Sequence, residues 1–134
     1  MSDDLPPEHD IADFFPRNMR SQFRDCRIFA YDQVLKRIQF VAPQREAVRS
    51  NYRVVFSQKD LRGSVKISLG PSSGNIQIDT AGPVNLDIRM WRSSSLRIGA
   101  GTTVNNARIV CDKADVIIGQ DGLWSDDILI QSND

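Results

Sequence analysis

From Ile76 onward the apolar positions recur at a fixed interval of twenty. Written as Ile76–Ser95, Leu96–Asp115 and Val116–Asp134, three blocks align without a gap. Ile78, Ile98 and Ile118 fall in one column, Val84, Val104 and Trp124 in a second, Met90, Val110 and Ile130 in a third. Two residues before each lies another mostly apolar or small position: Ile76, Gly82 and Ile88, then Leu96, Thr102 and Arg108, then Val116, Gly122 and Ile128. Residues two apart on a strand face the same side, so each pair marks a short strand with two inward side chains. Three such strands per twenty residues predict a triangular coil. Coils of this kind stack with their strands parallel, roughly 4.8 Å apart, and bury a column that no single coil could bury alone.

The predicted fold is therefore an all-β solenoid over residues 54–134, a parallel β-helix with triangular coils of about twenty residues. Strands every roughly 8–12 residues also suit a β-sandwich, but sandwich strands do not repeat side-chain identity at a fixed spacing. Upstream of Ile76 the repeat degrades. Val54–Phe56 and Val65–Leu69 read as strands of a degenerate first coil, and residues 70–75 as a longer loop. Gly99 and Gly119, directly after an inward Ile, fit corners that need a positive φ. Arg108 stands at a predicted inward position; it needs a buried partner, or a bulge that turns it outward. Residues 1–10 read as a disordered tail. Residues 11–53 read as an irregular, partly helical cap, interrupted at Pro16 and Pro43, that covers the first coil's open edges.

Composition narrows the function classes. Lys+Arg and Asp+Glu are both 17, so no global basic excess points to nucleic acid. Cys26 and Cys111 have no metal-ligand spacing and read as two reduced thiols. His9 is the single histidine, placed in the tail and expected at the surface, so a multi-histidine metal site is excluded within one chain. The acidic start is no secretory signal, and no apolar run approaches the ~18 residues of a membrane span, which sets the cytoplasm as the expected location.

The hexads Ile98–Thr103 and Ile118–Leu123, an aliphatic residue followed by Gly and a small residue four further on, resemble the hexapeptide-repeat transferases, whose β-helix is left-handed. The end of the chain, Ile118-Gly119 and then residues 125–134, looks like the acyltransferases that acetylate sugars of bacterial capsules and lipopolysaccharides. That resemblance implies an O-acyltransferase moving an acetyl group from acetyl-CoA to a saccharide hydroxyl, with no metal, in a homotrimer. In those relatives a similar Ser-x-Asp step leads, after one more residue, to the histidine that serves as general base. Here the sequence stops at Asp134 and no histidine follows, which reads as a chain cut before its base.

On this reading Asp134 is the acidic partner of that missing histidine, and Ser125, Asp126, Asp127, Trp124 and Asn105 line the acceptor pocket. Ordinary turn chemistry accounts for Ser125–Asp127 as well. Asn85, Asn105 and Ser125 should form a polar column along one edge of the stack. Trp91 with Arg89 and Arg92 offers a sugar or phosphate contact, or a solvated basic face. The alternative to an enzyme is a non-catalytic solenoid used for trimerisation or scaffolding.

Overall fold

The computed structural model describes residues 5–43, 48–124 and 128–133. Among these, a short strand β1 (Glu8–Asp10) opens the chain, followed by two 3-10 turns at Ile11–Phe14 and Arg17–Gln22. Strands β2 (Phe23–Arg24) and β3 (Arg27–Phe29), a single helical turn α1 (Asp32–Leu35) and β4 (Ile38–Val41) come next. The chain then alternates between two sheets through β5 (Arg49–Phe56), β6 (Gly63–Leu69), β7 (Ser72–Ile78), β8 (Val84–Trp91), β9 (Ser94–Ile98), β10 (Thr103–Asp112) and β11 (Asp115–Ile118). It finishes with β12 (Leu123–Trp124) and β13 (Ile128–Asn133). The first sheet runs in the order β1-β3-β5-β7-β9-β11, with β2 also on β5. The second runs β12-β10-β8-β6-β4, with β13 also on β10. Every pairing is parallel except β1 with β3. The molecule is a parallel β-solenoid.

Side chains at matching positions of successive coils stack into inward columns. In the first sheet Ile28, Val54, Ile76, Leu96 and Val116 are in register, as are Phe56, Ile78, Ile98 and Ile118. In the second, Ile67, Ile88 and Ile109 stack beside Leu69, Met90 and Cys111. All of these are buried. Each fully buried aliphatic side chain contributes about 1.5–3 kcal/mol relative to exposure, so the columns supply the main stabilisation.

The predicted Ile78–Ile98–Ile118 and Val84–Val104–Trp124 columns are both present in the backbone register. The third is displaced by one residue: Met90 pairs with Cys111, not Val110, and Ile130 pairs with Ile109. The cause is a bulge between Val104 and Ala107, where Asn105-Asn106 takes the place of one residue. A gapless alignment cannot contain that extra residue. The bulge also turns Arg108 outward, opposite Asp87 on β8. Two of the three short strands predicted per coil run on as one, as in β8 and β10.

The N-terminal boundary also moves. Parallel pairing reaches back through β5 to β3 and through β6 to β4, so the solenoid register begins well before Val54. The predicted tail is ordered over Glu8–Asp10, where β1 lies antiparallel on β3 and His9 faces Ile28. His9 Nε2 is buried, not exposed, and has no hydrogen-bond partner among the described residues. The predicted loop at 70–75 shrinks to two residues, because β7 already starts at Ser72. The corner glycines differ as well. Positive φ falls at Gly101 and Asp121, two residues beyond Gly99 and Gly119. Gly99 is required for another reason: a Cβ there would lie 2.8 Å from Gln120 N on the next coil.

Candidate functional site

The predicted acceptor pocket is only partly within the described residues. Ser125, Asp126, Asp127 and Asp134 lie outside them. Trp124 pairs with Val104 in the backbone of β12. Asn105 sits in the bulge of β10, where its carbonyl accepts a hydrogen bond from Asn85 Nδ2 at 3.0 Å. Ser64 Oγ donates to Asn85 Oδ1 at 3.4 Å one coil earlier. The expected polar column therefore exists as Ser64–Asn85–Asn105, and its hydrogen bonds run from coil to coil. Ser125, its predicted last member, is outside the described residues.

Among the described residues, three of the surface clefts bear on the site. The first, about 280 Å³, lies at the corner where β9 and β11 end, between Asp79, Arg97, Gly99 and residues 117–120. Its carboxylate is heavily used. Asp79 accepts from Ser57 Oγ at 2.8 Å and from Gln77 Nε2 at 2.7 Å, and pairs with Arg97 at 3.4 Å. Ile117 stands beside it with 75% exposure, an apolar wall in a polar setting. The second cleft, about 260 Å³, lies at the opposite edge of the first sheet among Asn51, Ser73, Asn75, Ser93 and Asp115. Ser95 donates to Asp115 there, and the buried Ser94 donates to Trp91 O at 2.7 Å. Its hydroxyls are spent largely on closing the turn.

The third cleft is basic. It holds about 280 Å³ between Lys36, Arg37, Gln39, Ser64 and Lys66, where the turn before β4 meets β6. The outer face of the second sheet continues from it. Lys66, Asp87 and Arg108 occupy one register line on β6, β8 and β10. Asp87 Oδ2 takes Arg89 at 3.3 Å and Arg108 at 3.6 Å, while Oδ1 is buried and accepts nothing among the described residues. Trp91 follows Arg89 on the same side of β8, half-buried, its ring lying across Gly70. Arg92 is bound by two hydrogen bonds to Asp112, which raises the guanidinium pKa and lowers that of the carboxyl. Of the predicted Trp91–Arg89–Arg92 group, Arg89 and Trp91 share a face and Arg92 belongs to the corner.

Sequence reading missed a buried polar group at the first end of the solenoid. Arg49 is fully buried, donating from Nε to Leu69 O at 2.6 Å and from Nη1 to Gln22 Oε1 at 3.2 Å, with its guanidinium 5.5 Å from the Phe23 ring centre. Tyr52 donates to Gly70 O at 2.9 Å, and Cys26 Sγ lies 3.5 Å from Arg49 O. Burial lowers the Arg49 pKa and raises those of Tyr52 and Cys26. Alternation from Tyr52, Val54 and Phe56 would turn Arg49 outward. The register shift between Arg49 and Tyr52, with Asn51 at φ 59°, reverses it. Both cysteines are buried thiols. The described residues contain no cluster of three or more His, Cys, Asp or Glu able to hold a metal, and no helix long and apolar enough to cross a membrane.

No protein-family model matches the chain, and neither a curated protein nor a solved structure matches it.

Proposed function

We propose that this solenoid belongs to an O-acyltransferase that moves an acyl group from a CoA thioester to a saccharide hydroxyl. The observation that carries the reading is the coil register itself: hexads such as Ile98–Thr103 stack at successive corners of a parallel solenoid. The corner cleft supports it further. Arg97 offers a cation for a CoA phosphate, and the exposed Ile117 beside Gly99 and Gly119 offers an apolar wall for the pantetheine arm. In the reaction the hydroxyl oxygen attacks the thioester carbon, the C–S bond breaks, and the hydroxyl proton passes to a base within hydrogen-bond reach. His9 lies on β1, five strands from β11 across the first sheet and thus roughly 24 Å away at the usual strand spacing. Within one copy it is out of reach of the last coil.

A non-catalytic scaffold is the second reading. It is favoured by the use of Ser64, Asn85, Ser57 and Asp79 in contacts between coils. Titration with CoA separates the two. Saturable binding that weakens in Arg97→Ala, together with thiol release from acetyl-CoA when a glycan is added, is the expected result. Absence of CoA binding would leave the scaffold.

A further inference from the structure

The chain carries equal numbers of acidic and basic side chains, but the two faces of the solenoid do not share them equally. On the strands of the first sheet Arg27 is paired with Glu8 and Asp10, Arg53 stacks on Phe29, and the exposed Arg24 is matched in number by the exposed Asp115. Arg97 is paired with Asp79 at the end of that sheet. On the second sheet and the turn leading into it stand Lys36, Arg37, Lys66, Arg89 and Arg108, with Arg92 at the corner after β8. Against them on the same strands are two carboxylates, Asp87 and Asp112, and Asp112 is tied to Arg92. Lys36, Arg37 and Lys66 form no ion pair among the described residues.

We propose that the outer face of the second sheet is a binding surface for an acidic polysaccharide lying along the solenoid axis, across β4, β6, β8 and β10. The inference goes beyond the acyltransferase reading and does not depend on it. Its first support is geometric. Because Lys66, Asp87 and Arg108 are in register on adjacent strands, Lys66 and Arg108 are spaced at about 10 Å, and the stripe from Arg37 to Arg108 spans about 15 Å. That length exceeds a single small anion and matches a chain with repeated negative charges.

The second support separates saccharide from nucleic acid. Asp87 takes the half-exposed guanidinium groups of Arg89 and Arg108 on its Oδ2, and its buried Oδ1 has no donor among the described residues. A sugar hydroxyl reaching this carboxylate can donate to it, whereas a phosphodiester brings acceptors that a carboxylate repels. Trp91, beside Arg89, gives one flat apolar surface for a sugar ring. Among the described residues it is the single outward aromatic on these strands, too few for the successive base stacking that single-stranded nucleic acid uses.

The test is a titration of the full chain with polygalacturonate, neutral amylose and an oligo-dT strand at matched ionic strength, read by Trp fluorescence and calorimetry. Polygalacturonate should bind saturably and weaken with added salt, and amylose should not bind. Lys66→Glu combined with Arg108→Glu should weaken binding by about tenfold or more, while Arg53→Glu on the first sheet stays within about twofold. Lys66→Gln, an exposed change that breaks no ion pair, gives the same direction should the double variant fold poorly. The proposal is overturned by no binding, by equal binding of amylose, by an equal loss in Arg53→Glu, or by oligo-dT binding more tightly than polygalacturonate.

Discussion

The coils from β7 to β11 and the segment that closes the solenoid's first end are held by different kinds of contact. In the coils, like stacks on like: Ile78 on Ile98 on Ile118, each backbone strand satisfying the next. At the first end the repeat gives way to individual fits. Phe15 stacks on Phe23 with ring centres 4.4 Å apart, Phe14 meets Phe40 edge-on at 5.2 Å, and the buried Arg49 reaches from β5 to both Leu69 O and Gln22. The lesson is that a solenoid interior can be built from a short repeated rule, but its end cannot. Among the described residues the neighbour of β3 on this side is not another parallel coil: β1 lies antiparallel along it and the 3-10 turns cover the column.

The sharpest way to break this contrast is at Arg49. Arg49→Ala removes the hydrogen bonds to Leu69 O and Gln22 Oε1 from a buried site. It should cost about 3–4 kcal/mol in a urea unfolding measurement. A loss below about 1 kcal/mol would mean that the first end is not fastened there.

A second test compares two glycines at one repeat position. Gly99→Ala places a Cβ 2.8 Å from backbone atoms of Gly119 and Gln120, and the coils must separate to admit it, at about 1–3 kcal/mol. Gly119→Ala meets nothing within 4 Å and should change stability by less than about 0.5 kcal/mol. Equal effects would show that the tight approach between these coils is not maintained in solution.

The smallest effect concerns pH. Burial raises the Cys111 thiol from 9.0 to about 11. The folded state thus keeps a proton that the unfolded state loses first. The resulting stabilisation is complete below about pH 9 and is lost as the pH rises toward about 11. Unfolding midpoints should fall over that window, and less steeply in Cys111→Val, whose side chain stays apolar in the same column.

Much of the fold was legible because its main interaction is periodic. A parallel coil forces equivalent residues to meet at a fixed interval, so Ile78, Ile98 and Ile118 announce one another in the sequence alone. The same logic gave the Ser64–Asn85–Asn105 edge in part, through the predicted column of Asn85 and Asn105. It failed wherever one residue was added or reversed. Asn105-Asn106 sets the bulge that exchanges Val110 for Cys111 in the core and sends Arg108 to Asp87, and Asn51 at positive φ swings Arg49 inside. A bulge changes which face a side chain takes without changing composition or strand propensity, and its occurrence depends on the strand beside it. The sequence by itself therefore determined a parallel stack of twenty-residue coils and its aliphatic columns. The tertiary structure alone decided the outward turn of Arg108 and the burial of Arg49, because both follow from register shifts that local spacing does not encode.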